Sequence, residues 1–160
     1  MIWRRGFKER LTGFKVFKDE ESKEFMETLK HIDPAVVDAR GAIMNLFEGR
    51  IEHIALITSK KGSVRANHYH KEDHQYMYLL SGAYESHSCD VRNPDKKQVL
   101  HVKPGGIVYT PPLTAHAQRF TEDSVFLALS TRQREEGKYE KDTIAFQVIE
   151  GYLNPELKKS

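Results

Sequence analysis

Cysteine is nearly absent from this chain. Cys89 is the only one, so no intrachain disulfide can form, and a reducing compartment is the expected setting. Long apolar runs are missing too. None approaches the roughly 18 residues of a membrane-spanning helix, and the opening MIWRRGFKER has no apolar core of a signal peptide. The expectation is a cytoplasmic protein with no membrane partner. There is also no excess of one charge. Lys and Arg number 25 against 23 Asp and Glu, which gives no support to a nucleic-acid footprint. Arg4, Arg5, Lys8 and Arg10 at one end, and Lys158 and Lys159 at the other, are expected to be solvated termini. No repeat, low-complexity block or linker divides the 160 residues, a length that suits one domain with a sizeable core.

Helical periodicity is scarce. ESKEFMETLKH, from Glu21 to His31, places Phe25, Met26 and Leu29 at helical spacing and predicts a short helix, ended by Asp33-Pro34. Residues 1–20 show little pattern and predict an arm. After Gly41 the texture changes. AIMNLFEG, IEHIALITS, SVRANHYH, QYMYLLSG, AYESHSCDV, QVLHVKPG, GIVYTPP, AHAQRFT and SVFLALST follow one another, each short, rich in β-branched or aromatic residues and bounded by turn formers. In AYESHSCDV, Tyr84, Ser86, Ser88 and Asp90 alternate with Glu85, His87, Cys89 and Val91. VRNPDKK, from Val91 to Lys97, predicts a turn. QREEGKYEKD predicts an exposed segment, and IAFQVIEGYL, from Ile144 to Leu153, a last strand or extended arm. The whole pattern predicts an all-β antiparallel sandwich or barrel with jelly-roll closure. Residues 1–40 would form an arm and short helix, and residues 41–160 the barrel.

Chemistry concentrates in GSVRANHYHKEDHQYMYLLSG. On a strand, His68 and His70 share a face and Tyr69 points the other way. Same-face neighbours two apart have Cβ atoms about 7 Å apart, so two imidazoles can converge on one ion. His74 or Gln75 starts the next segment within reach of the same point, and His116 in KPGGIVYTPPLTAHAQRF offers a third imidazole. Three imidazoles with one further donor suit a divalent transition metal ion (Zn, Fe, Ni or Mn) and leave open positions. His31, His53, His87 and His101 lie outside this frame and are expected to be structural, His87 being the first to reconsider.

These residues carry a resemblance to the cupins, a superfamily of small β-barrels. The first cupin motif, G(X)5HXH(X)3-4E(X)6G, is matched by Gly62, His68, His70, Gln75 and Gly82, with Gln75 in place of Glu. The second, G(X)5PXG(X)2H(X)3N, is matched by Gly105, Pro111 and His116, with Leu113 in place of Gly and Phe120 in place of Asn. The resemblance implies the double-stranded β-helix, or jelly roll. It also implies His68, His70 and His116 as metal ligands and Gln75, or His74, as a fourth. A neutral Gln75 leaves the ion its full double charge, where a glutamate would cancel one unit. Such a site would acidify bound water more and favour an anionic ligand.

Arg65-Ala66-Asn67-His68-Tyr69 further resembles the Arg-Gly-x-His-Tyr run of rhamnose-pathway epimerases. It is also similar to the Arg-Gly-Asn-His-[Tyr/Phe]-His run of cupin domains in capsule and lipopolysaccharide sugar-nucleotide enzymes. TPPLTAHAQRF resembles the proline-rich strand of these enzymes, and Tyr139-Glu140-Lys141-Asp142-Thr143 a Pro-Asp-Thr segment near their C-termini. The implied function is metal-dependent isomerisation or epimerisation of a nucleotide-linked keto sugar in surface-polysaccharide synthesis. In it, His68 or a metal-bound water would be the base and Arg65 the grip on the diphosphate. Tyr76, Tyr78, Tyr84 and Tyr109 are candidate acids or stacking partners, with Tyr109 the foremost as an acid and Tyr78 as a substrate contact. An Fe(II) dioxygenase and a non-catalytic sugar or metabolite binder use the same imidazoles and stay open as alternatives. Residues 1–20, with Trp3, Phe7, Phe14 and Phe17, suggest an arm crossing to a second copy in a homodimer.

Overall fold

The structure, a computed structural model, describes residues 26–135 and 137–152. In chain order the elements are β1 (Thr28–His31), β2 (Val36–Asp38), β3 (Gly41–Ile43), β4 (His53–Ser59), β5 (Val64–His70), β6 (Gln75–Ser81), β7 (Tyr84–Asp90), β8 (Asn93–Val102), β9 (Gly106–Thr110), β10 (Thr114–Phe120), β11 (Ser124–Ser130), the single turn of helix α1 (Lys138–Asp142) and β12 (Thr143–Ala145). Two five-stranded antiparallel sheets, ordered β1-β9-β6-β11-β4 and β12-β5-β10-β7-β8, enclose one interior, and β2 and β3 form a separate hairpin. This is the all-β jelly roll that the strand pattern and the cupin frame imply.

Alternation decides which side chains enter the interior. Along several strands the inward positions run from polar to apolar. On β6 they are Gln75, Met77 and Leu79; on β10, His116, Gln118 and Phe120; on β7, Ser88, Ser86 and Tyr84; on β9, Thr110 and Val108. The apolar end is a packed cluster of Met77, Leu79, Tyr84, Val102, Val108, Phe120 and Phe126, contributed by both sheets. Phe120 stacks on Phe126 with ring centroids 5.5 Å apart. The outward side of the first sheet carries a second cluster, Tyr76, Tyr78, Ile107 and Leu129, covered by Ile32, Leu46, Phe47 and Ile51.

Three local expectations change. Thr28–His31 is a strand, not the end of a helix: it pairs with β9 from Thr28↔Tyr109 to His31↔Gly106. A short helix has little stability of its own, and the ladder to β9 outweighs it. Glu21–Phe25 and the arm at 1–20 lie outside the described residues. The VRNPDKK turn shrinks to Val91 and Arg92, because Asn93 already begins β8. Pro94 fits there since, among the described residues, β8 is the outermost strand of its sheet and needs no donor on its other side. In the polar stretch after Thr131, Lys138–Asp142 closes one helical turn. Of Ile144–Leu153, the start belongs to β12, which pairs with β5.

Candidate active site

The site is built around an irregularity in β5. Strict alternation would put Arg65 on the face of Asn67 and Tyr69, opposite His68 and His70. The pairing with β10 shifts register between His116 and Ala117, so that His68 faces His116 while Arg65 faces Gln118. Asn67 is the extra residue of this bulge, and Ala66 and Asn67 take positive φ angles of 64° and 56°. The bulge brings Arg65 and both histidines to the same interior. Asn67 is held from behind. Its Oδ1 accepts from the Val148 and Ile149 N–H groups at 3.0 Å, and its Nδ2 donates to the Ile149 and Tyr152 carbonyls at 2.9 and 2.7 Å. The irregular chain after β12 is thereby stitched onto β5.

The three motif histidines meet. One ring nitrogen from each of His68, His70 and His116 lies within 4.8 Å of the others, and all three are buried. His70 Nδ1 lies 3.3 Å from Asp142 Oδ2 and 3.3 Å from Thr143 Oγ1, while its Nε2 is buried with no partner among the described residues. His116 Nδ1 lies 3.2 Å from the Thr114 carbonyl. Burial, then the neighbouring His116 and His70, holds His68 well below its ordinary pKa. Burial, then His70, pushes His116 down to about 3. Two of the three rings are thus neutral near pH 7. Asp142 is held below the usual carboxylate range: burial pushes it up, but the His70 hydrogen bond and charge and the Glu72 and Asp73 N–H groups outweigh that.

A cavity of about 930 Å³ opens beside this cluster. His68, His116, Gln75, Gln118, Arg65 and Tyr139 are among its walls. Tyr139 leans over two of the imidazoles, with centroids 6.3 Å from His68 and 5.7 Å from His70, and the Arg134 guanidinium covers the Tyr139 ring at 4.4 Å.

A sequence-family profile described as FdtA: WxcM-like, C-terminal, matches residues 47–150, the span that contains this whole cluster. The chain belongs to that family. No curated protein matches it. Among solved structures, it resembles a double mutant of the QdtA 3,4-ketoisomerase from Thermoanaerobacterium thermosaccharolyticum in complex with TDP. That match has 27% identity and a TM-score of 0.61, covering 74% of this chain and 86% of that one. A 3,4-ketoisomerase from Helicobacter canadensis shares the fold at 21% identity and a TM-score of 0.61, over 74% of this chain and 89% of that one. So does the dTDP-4-dehydrorhamnose 3,5-epimerase of Sulfolobus tokodaii, at 20% identity and 0.59, over 73% and 74%.

For this member of the FdtA family, the residues singled out from sequence divide into two groups. Arg65 lines the cavity, donating from Nε to Ser59 Oγ at 2.6 Å and from Nη2 to the Thr58 carbonyl at 2.8 Å. These bonds use two of its five N–H donors. Gln75 also lines the cavity, its Nε2 donating to Asp73 Oδ2 at 3.3 Å. His74 points the other way, as alternation requires, and its Nδ1 meets the Tyr109 hydroxyl at 2.8 Å. Tyr109 is therefore not brought to the cavity. It stacks between His74 and Tyr76, with centroids 5.9 and 4.9 Å away. Tyr78 is buried in the outward cluster of the first sheet. Both tyrosines share the face opposite Gln75 and Met77, so the strand period itself turns them away from the interior. His87 pairs with Glu85 at 3.1 Å on the outer side of β7.

Asp142, Tyr139 and Arg134 were not among the residues singled out. The one signal for them was the short resemblance at Tyr139–Thr143, which lands on the helix turn carrying Tyr139 and Asp142.

The donor set fits a metal ion. Three neutral-capable imidazoles converge, and on His70 and His116 the far nitrogen is engaged by a carboxylate or a carbonyl, which leaves Nε2 for an ion. The Gln75 amide nitrogen is tied to Asp73, so its oxygen is the end left for coordination.

Proposed function

We propose that this chain is an isomerase or epimerase of a nucleotide-linked keto sugar, with 3,4-keto transfer the favoured reaction. The observation that carries this reading is the His70–Asp142 pair, whose imidazole packs against the cavity-lining His68 with centroids 4.8 Å apart. A 4-keto sugar has acidic hydrogens on the carbons next to the carbonyl. Asp142 holds the proton on His70 Nδ1 and leaves Nε2 as a lone pair without a partner among the described residues, which is the state a general base needs. His70 Nε2 takes the C3 proton, an enediolate forms, and the proton returns to C4. The C3 hydroxyl loses its proton as the former C4 oxygen gains one, so the product is the 3-keto sugar. His68 and Tyr139 lie beside the reacting carbons as hydrogen-bonding neighbours. The base is therefore assigned to His70 rather than His68. Arg65, at the cavity wall, takes the diphosphate with its remaining donors.

The family membership and the likeness to QdtA, solved in complex with TDP, support a nucleotide-sugar substrate. A divalent ion held by His68, His70, His116 and Gln75 would supply Lewis-acid polarisation of the keto oxygen. In that case His70 Nε2 is occupied and cannot be the base, so metal analysis separates the two arrangements. The test incubates the protein with a TDP-linked 4-keto-6-deoxy sugar and identifies the product by NMR, alongside elemental analysis of protein kept from chelators. A 3-keto product formed by metal-free protein and lost in His70→Asn and Asp142→Asn supports the proposal. Stoichiometric metal lost in His68→Ala/His70→Ala moves the assignment to the ion. Oxygen uptake with iron would favour a dioxygenase, and ligand binding without turnover a binder.

A further inference from the structure

Behind the cavity wall lies a buried acid that the mechanism does not use. Glu27, just before β1, is 1% exposed. Its Oε1 accepts from Thr110 Oγ1 at 2.8 Å, but its Oε2 is buried with no partner among the described residues. Three more buried polar atoms on neighbouring inward positions are also without one among the described residues: Ser86 Oγ, Tyr84 Oη and Gln118 Nε2. The ladders place them together. Ser86 is the cross-strand partner of Gln118, Ser88 of His116, and Thr110 of Gln75. The Ser86, Thr110 and Ser88 hydroxyls lie beside the Glu27 carboxyl, and burial, then the charge of Glu27, raises the pKa of Tyr84.

Buried polar atoms are rarely left unpaired, since each costs about 1–3 kcal/mol. Four on adjoining inward positions, two of them able to donate or accept, match the needs of an internal water, which takes about three hydrogen bonds. Gln118 links this space to the cavity, because the same side chain lines the cavity wall.

We propose that Glu27 is a positioning residue of the substrate cavity: a water bound among Glu27 Oε2, Ser86 Oγ, Tyr84 Oη and Gln118 Nε2 ties the carboxyl to the Gln118 amide and fixes which end of that amide faces the sugar. With the nitrogen turned inward to the water, the oxygen is presented to the cavity. Gln118 then acts as an acceptor and selects a sugar carrying a hydroxyl donor at that point. The inference rests on the nucleotide-sugar reading of the same cavity.

The test has two arms. A high-resolution crystal structure of the wild-type protein is expected to show a water within hydrogen-bond distance of at least three of the four atoms. A dry space, or direct contacts that leave no room for water, overturns this proposal alone. In the second arm, Glu27→Gln and Gln118→Leu are compared with wild type for TDP affinity, and for KM and kcat on the TDP-linked keto sugar. Both substitutions are expected to raise KM for the sugar several-fold, with TDP affinity unchanged and kcat changed less. A purely structural Glu27 would shift TDP and sugar alike, or neither, and either result overturns the positioning role. A wild type that neither binds TDP nor converts the sugar overturns the functional reading, and the sugar selection with it.

Discussion

The two ends of this barrel are made from the same strands, yet they obey different rules. At one end, Leu79, Tyr84, Val108, Phe120 and Phe126 fill the space between the sheets. A few residues along the same strands, Gln75, Ser88, Thr110 and His116 occupy the equivalent inward positions. The apolar end supplies stability, since buried aromatics contribute through area and close packing. The polar end uses some of that stability to keep neutral imidazoles and an acid out of water. A barrel filled with aromatics throughout would be more stable and would have no chemistry.

Breaking the polar end should abolish turnover with little effect on folding. His70→Asn is expected to lower kcat/KM by about 10²–10⁴, the range for loss of a general base, with the melting temperature nearly unchanged. Comparable losses in both would erase the distinction between the ends.

Breaking the apolar end should do the reverse. Phe120→Ala is expected to cost about 3–5 kcal/mol of stability, read from the denaturant midpoint, while the protein that remains folded keeps its KM. A small loss would mean that the Phe120–Phe126 stack is not the anchor of that end.

A pH titration sharpens the contrast. Burial, opposed by the Thr110 hydrogen bond and the neighbouring Ser86 and Ser88 hydroxyls, pushes Glu27 up from 4.5 to about 7. The folded protein thus keeps a proton that the unfolded chain releases. This contribution is fully present below about pH 4.5 and is lost as pH rises through about 7, at a cost of at most about 3 kcal/mol. The side chains that face Glu27, from β7 and β9, are the hydroxyls of Tyr84, Ser86, Ser88 and Thr110, none of which ionises in that window. Glu27→Gln should therefore gain on wild type between about pH 4.5 and about pH 8 in denaturant unfolding. Parallel curves would mean that the acid is not buried as described. His116, held down to about 3, has the opposite sign: its folded form resists protonation, so stability falls as pH drops from 6.5 towards 3.

The smallest effect concerns the bulge. Ala66 holds a left-handed φ of 64°, a conformation that costs an L-residue roughly 1–2 kcal/mol. Ala66→Gly relieves that strain but adds unfolded-state entropy. A net stabilisation of about 1 kcal/mol or less is expected in thermal unfolding, with kcat/KM unchanged. A loss would show that the Ala66 methyl packs usefully.

The same bulge shows what the sequence could convey. His68, His70 and His116 were legible because their spacing is a local pattern and because β5 and β10 are neighbours. That Arg65 joins them was not, since period-two alternation places it on the opposite face. The clue lay at Ala66 and Leu113, which stand where the related motifs have glycine, and both adopt positive φ. Alternation did separate Gln75 from His74. Applied to Tyr78 and Tyr109, it would have turned them away from the site. Asp142 meets His70 across a long loop of chain and depends on a single helical turn in a polar stretch, so neither periodicity nor composition marks it. Glu27 was hidden because its segment carries a helical pattern that the β9 ladder overrides.

The central claim is that the polar end moves a proton on a keto sugar through His70. The most direct measurement is deuterium wash-in from D2O at C3 of a TDP-linked 4-keto-6-deoxy sugar, followed by NMR for wild type and His70→Asn. Enzyme-dependent exchange is expected in the wild type and background exchange in the variant. Absence of exchange in the wild type, or undiminished exchange in His70→Asn, would contradict it.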